Sequence, residues 1–202
     1  MQRSSFLFFV LATTAWAWDG EYLPGKGALP REATPAWHTR VSNPGTEVRL
    51  ENNLLRIDTS AVVDGRLAFE QKKAWNGLPG SEVEVEVRVV QPIDENLSVA
   101  QIVLSGPQGW QSLSLARDYV IFTGKQPKYP LDLSRFQKLH LRLTGEGTVE
   151  LRVNDVPNPV LVAPLVTEGN PEKHSLVFGD NSRTPKVGGV VEWKAVRWKK
   201  GE

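Results

Sequence analysis

The chain has 202 residues, 24 Lys+Arg against 23 Asp+Glu, and a formal net charge of +1. That balance, with no long basic run, argues against nucleic acid or an anionic membrane as the main partner. Cysteine is absent, which excludes disulfides, thiolate metal sites, cysteine nucleophiles and a lipid-modified cysteine.

Residues 1–17 have the parts of a secretory leader. Arg3 supplies a small positive region, Phe6 to Ala12 is a short apolar run, and Ala15-Trp16-Ala17 fits a small-x-small cleavage site. Cutting after Ala17 is expected, which makes the protein exported, periplasmic or extracellular. The apolar run is shorter than the ~20 residues that span a bilayer, and no later run is long or apolar enough to do so. The remaining 18–202 is read as one domain, beginning with an irregular, proline- and glycine-rich segment over 18–44.

The body of the chain alternates with period two. Leu54–Asp58 and Arg66–Lys72 each place apolar residues on one side, and Ser81–Val89 alternates almost without fault. Val99–Leu104, Trp110–Leu115, Tyr119–Phe122, Lys138–Leu143 and Thr148–Val153 follow, separated by turn residues such as Pro79-Gly80 and Gly145-Glu146-Gly147. Ser175–Ser182 and Gly188–Trp198 read as two more strands around a polar loop. Many short strands at near-regular spacing predict an all-β sandwich or barrel. Gly145–Gly147 and Gly106–Gly109 are expected hairpin connections. Residues 132–136 suit a single helical turn, and 154–173 a long extended connection.

Three pieces, in order, resemble the concanavalin A-like (laminin-G-like) superfamily. They are Asp64–Phe69 leading through Trp75 into the strand from Glu82, then Asp132 to Asp155, then Phe178–Ser182 with the strand Glu192–Trp198. Val156 follows Asp155 where that superfamily usually has glycine. The resemblance implies a two-sheet antiparallel jelly-roll sandwich. It also implies a binding module for a glycan or envelope polysaccharide, or more rarely an enzyme.

Residues two apart in a strand share a face, so Glu82, Glu84 and Glu86 line one side of theirs. They are the candidate carboxylates for a glycoside hydrolase or polysaccharide lyase, set against the plainer reading of a solvated face opposite core valines. Laminarinase-like members carry Glu-x-Asp-x-Glu, and here the middle residue is Glu84. The alginate-lyase signatures are incomplete: the Glu84–Arg88 stretch lacks its leading Arg and Gln101–Val103 its His. The Asn-Ser-Gly-x-x-Arg motif of keto-disaccharide-hydrolase-like sandwiches is missing. His38, His140 and His174 show no metal-ligand spacing, and His140 is expected to face outward.

Sugar sites combine flat aromatic faces with directional polar groups. Trp75, in a loop-like stretch, and Trp110, just after a turn, are the candidate platforms. Trp193 and Trp198 fall on opposite faces of their strand unless a bulge intervenes. Asp180 and Asn181 offer oxygen ligands for a structural Ca²⁺ and are equally ordinary turn formers. Three classes stay open: a glycan-binding module, a glycan-cleaving enzyme, and a structural or protein-interaction domain of the cell envelope.

Overall fold

A computed structural model describes residues 17–62, 64–124, 126–168, 174–181 and 187–202. The expected leader lies outside the described residues except for Ala17, as does Ser182 of the polar loop.

The described residues form fifteen strands and two short 3₁₀ turns, arranged in two antiparallel sheets. The first sheet runs β13 (Leu161–Pro164), β12 (Thr148–Val153), β11 (Gln137–Leu143), β6 (Glu82–Pro92), β15 (Gly189–Lys199), β4 (Leu54–Asp58), β3 (Glu47–Glu51). Strand β1 (Gly20–Tyr22) also pairs with β15. The second runs β10 (Tyr129–Pro130), β9 (Tyr119–Phe122), β8 (Gly109–Leu115), β7 (Ala100–Gly106), β14 (Ser175–Asp180), β5 (Leu67–Gln71), β2 (His38–Ser42).

The ten strands expected from alternation are all present, and both expected hairpins, β7–β8 and β11–β12, form. The segment 18–44 is more regular than its composition suggests, because β1 and β2 lie within it. β13 likewise interrupts the expected connection over 154–173. β3 is a further strand that alternation did not single out. These additions are short or lie at sheet margins, where exposed side chains leave little apolar periodicity to read. Residues 132–136 form a turn rather than a helical turn. The Asp132 carboxylate accepts hydrogen bonds from both the amide and the hydroxyl of Ser134, an Asx turn that competes with helix.

Alternation places the core. Val83, Val85, Val87 and Val89 of β6 are fully buried and meet Leu139 and Leu141 of β11 across the strand pair. From the other sheet come Ile102, Leu104, Leu113, Leu176 and Phe178. Each such side chain contributes roughly 1.5–3 kcal/mol of burial.

Phe178 is the hub of an aromatic cluster. Its ring lies 4.9 Å from Trp37 and 5.0 Å from Trp193, both edge-on, and 5.7 Å from Phe69. Trp37 in turn meets Trp198 edge-on at 5.4 Å. These are the arrangements the ring quadrupole favours. Gly20 carries no side chain because a Cβ there would fall on the Trp198 indole, so the β1–β15 pair closes directly over that ring.

Both Trp193 and Trp198 are buried at 0% exposure. A register shift between Trp193 and Ala195 in the β15–β6 pair takes Lys194 out of the alternation. Trp193 then opposes Val87, and Trp198 opposes Val83, so both indoles enter the core. At the same point the outer neighbour of β15 changes from β4 to β1.

Candidate functional site

The valines of β6 face inward, so Glu82, Glu84, Glu86 and Arg88 project from the outer face of the first sheet. Register then decides their partners. Arg142, His140 and Lys138 of β11 stand opposite Glu82, Glu84 and Glu86, and on the other side Arg197 of β15 stands opposite Glu84. Opposite charges across a strand pair stabilise the sheet. Glu82 lies 3.0 Å from His140 Nε2 and 3.8 Å from Arg142 Nε. Glu84 Oε1 accepts from Arg197 at 2.7 Å, and Glu86 Oε1 from Lys194 at 2.7 Å. Further along, Glu192 is held between Arg56 and Arg88, at 2.9 and 2.6 Å. The three carboxylates singled out in the sequence are therefore rungs of a cross-strand charge ladder.

Part of this face forms a groove of about 590 Å³, within the range of ~300–1,000 Å³ common for small-ligand sites. Its walls include Trp18, Glu84, His140, Arg152 and Asn154. Of the three carboxylates, Glu84 is the one that reaches it. Trp18 stands edge-on to the His140 ring with centroids 6.2 Å apart. It is placed there by Asp19, whose amide donates to Trp198 O at 3.0 Å and whose carboxylate accepts from the Lys200 amide at 2.6 Å. Arg152 sits opposite His140 in the β11–β12 hairpin. Asn154, at positive φ (54°), fixes the hairpin's far end. Its Nδ2 donates to Gln137 Oε1 at 2.9 Å and its Oδ1 accepts from the Lys138 amide at 3.2 Å.

A second groove, of about 650 Å³, lies among Glu95, Asn96, Arg117, Asp118 and Asp132. Among the described residues no aromatic side chain lines it, and Asp132 is committed to its turn. The Ser134 side-chain and amide hydrogen bonds hold that carboxyl below its ordinary range.

The tryptophans expected as platforms are placed differently. Trp75 is corrected from exposed to core: it is 2% exposed, and its indole N–H donates to Ser105 O at 2.9 Å. The loop carrying it is fastened down. Asn76 Nδ2 donates to Gly201 O at 2.8 Å, and the Gly77 backbone lies so close to Gly106 that neither position admits a Cβ. Trp110 is half-buried in the second sheet, and its N–H donates to Glu168 O at 3.0 Å. It lies outside the Trp18 groove. The aromatic residue that does line that groove, Trp18, and its neighbour His140 carried no sequence signal beyond residue type and, for His140, an outward phase.

Asp180 is buried at 1% exposure and accepts from Thr59 Oγ1 at 2.9 Å. Thr59 Oγ1 itself accepts from the Gly189 amide at 3.0 Å. This network ties β14 of one sheet to β4 and β15 of the other. Calcium takes 6–8 oxygen ligands, and among the described residues no cluster of three or more His, Cys, Asp or Glu is arranged to hold a metal ion.

No protein-family model matches the chain, and no curated protein matches it in sequence. Solved structures do match in shape. A carbohydrate esterase from the Shiga toxin-encoding bacteriophage phi24B superposes with a TM-score of 0.58 at 14% identity, over 90% of this chain and 97% of that one. A laminarinase from Flavobacterium sp. UMI-01 gives 0.55 at 9%, over 91% and 100%. The exoplasmic/lumenal domain of VIP36, in its Ca²⁺/Man3GlcNAc-bound form, gives 0.55 at 10%, over 91% and 89%. With the strand order above, these likenesses define the class: the protein has a two-sheet antiparallel jelly-roll sandwich fold, the fold that the concanavalin A-like resemblance implied. At such identities they establish the fold and nothing finer.

Proposed function

We propose that this chain is an exported, non-catalytic jelly-roll domain that binds a glycan, and that the Trp18 groove is its binding site. The observation that carries the reading is the meeting of Trp18 with Glu84, His140 and Arg152 around one groove of saccharide size. An indole offers an apolar face to the C–H side of a sugar ring, while carboxylate and guanidinium groups address its hydroxyls. The fold's solved neighbours include a carbohydrate esterase, a laminarinase and the Ca²⁺/Man2-bound exoplasmic/lumenal domain of VIP36. Export rests on the leader pattern of residues 1–17.

The test is a glycan array with the exported protein, followed by titration calorimetry on the best hit. Binding is expected, with Trp18→Ala weakening it about tenfold, near 1.4 kcal/mol, and Trp110→Ala leaving it unchanged. Absence of binding to any glycan, or loss through Trp110 instead of Trp18, overturns the assignment. Turnover of the bound glycan that disappears in Glu84→Gln would favour the hydrolase reading.

A further inference from the structure

The charges around the Trp18 groove carry a further consequence, which rests on the glycan-binding reading: we infer that the ligand is an electrically neutral saccharide rather than a uronate or a sulfated glycan. Among the described residues, each charged side chain lining the groove already has an opposite charge beside it. Glu84 has Arg197 at 2.7 Å, Lys138 has Asp155 at 3.2 Å, and Arg152 has Glu150 at 3.2 Å. His140 has Glu82 at 3.0 Å.

An acidic ligand needs several uncompensated cations, and the groove gains one at most, the backbone ammonium that cleavage after Ala17 leaves on Trp18. To take a further one from the side chains it would have to displace a carboxylate from Arg152 or Lys138 and leave that carboxylate without its partner, which offsets the gain. Glu84 would add repulsion at close range. A neutral sugar meets none of these costs. Arg152 has five N–H donors and Glu150 is bonded to one nitrogen. Arg197 is bonded to Oε1 of Glu84, so Oε2 remains as an acceptor for a hydroxyl hydrogen. Hydroxyls, which both donate and accept, match such a set, and Val156 and Pro157 add apolar surface beside Trp18.

The experiment compares neutral oligosaccharides (β-glucan and mannan fragments) with oligogalacturonate, oligoalginate and a sulfated glycan, by calorimetry at about 0.1 M and about 1 M salt. These two conditions span Debye lengths from about 10 Å to about 3 Å. The expected result is binding of a neutral oligosaccharide with a Kd that shifts less than about twofold between the two salts. The acidic glycans should bind at least about tenfold more weakly. Trp18→Phe, which keeps a ring, should retain binding that Trp18→Ala loses, with both variants melting at the temperature of the unaltered protein. Salt-sensitive binding of the acidic glycans alone overturns this inference and leaves the glycan-binding reading standing. Failure of every saccharide overturns both.

Discussion

Trp193 and Trp198 both point into the core although their separation in the chain would place them on opposite faces of a regular strand. The cause is a single bulged residue, Lys194, between them. A bulge adds one residue to one strand and resets the phase of everything after it. Lys194 itself turns outward and pairs with Glu86 at 2.7 Å, with its side chain 54% exposed.

Two variants at this position separate the bulge from the side chain. Lys194→Ala removes an exposed ion pair and should cost no more than about 1 kcal/mol. Deleting Lys194 leaves the two tryptophans four apart, so a regular strand in the same register keeps both indoles in the core, and the cost should stay well below the about 3–5 kcal/mol of turning one of them out. Urea unfolding with near-ultraviolet circular dichroism checks both. A deletion variant that loses about 3–5 kcal/mol together with the near-ultraviolet signal of a buried indole would show that the bulged residue does not set the indole positions.

The Thr59–Asp180–Gly189 network should act through hydrogen bonding. Asp180→Ala leaves the buried Thr59 hydroxyl with the longer bond to Gly189 O, at 3.3 Å, and should cost about 1–3 kcal/mol. The cost is expected to be the same in excess EDTA and in millimolar CaCl₂, measured by thermal melting. Calcium raising the melting temperature of the unaltered protein, but not of Asp180→Ala, would instead assign Asp180 as a ligand.

Burial of the Tyr22 phenol, with a smaller contribution from the Glu32 charge, raises its pKa well above the ordinary 10.0. Below that ordinary value the phenol is neutral in both folded and unfolded chains, and its contribution is fully present. Above it the unfolded phenol ionises while the folded one keeps its proton, so unfolding releases a proton and stability falls as pH rises toward the folded value. Tyr22→Phe should remove up to ~1.4 kcal/mol per pH unit of that decline, seen by comparing urea midpoints at about pH 9 and about pH 11. At neutral pH the same variant should lose about 1 kcal/mol, from the hydrogen bond to Ala28 O at 3.1 Å. Equal pH slopes for the two proteins would refute the assignment.

Much of the fold was legible because half-buried strands write their orientation into the chain. Val83, Val85 and Val87 face the core and Glu82, Glu84 and Glu86 face out, as period two requires. Where that signal thins, at exposed β3 or at the short β1, β10 and β13, strands went unread. The candidate site was far less legible. Glu84 stood out because it is close in sequence to two other carboxylates, whereas its structural neighbours His140 and Arg197 come from strands distant in the chain. Trp75 looked exposed because its stretch reads as a loop, and only the packing of Gly77 on Gly106 shows that the loop is closed over the ring.

The sequence by itself determined the class of the fold: an all-β chain without cysteine, built from alternating strands whose apolar faces have to be buried against each other. Tertiary structure decided the rest. It paired the strands in a register that matches each β6 carboxylate with a cation, reset the phase of β15 at Lys194, and brought Trp18 against His140. Alternation is a property of neighbouring residues and can be read along the chain. Register, bulges and the meeting of distant side chains depend on which strands lie side by side, and that is settled only when the two sheets close on a common core.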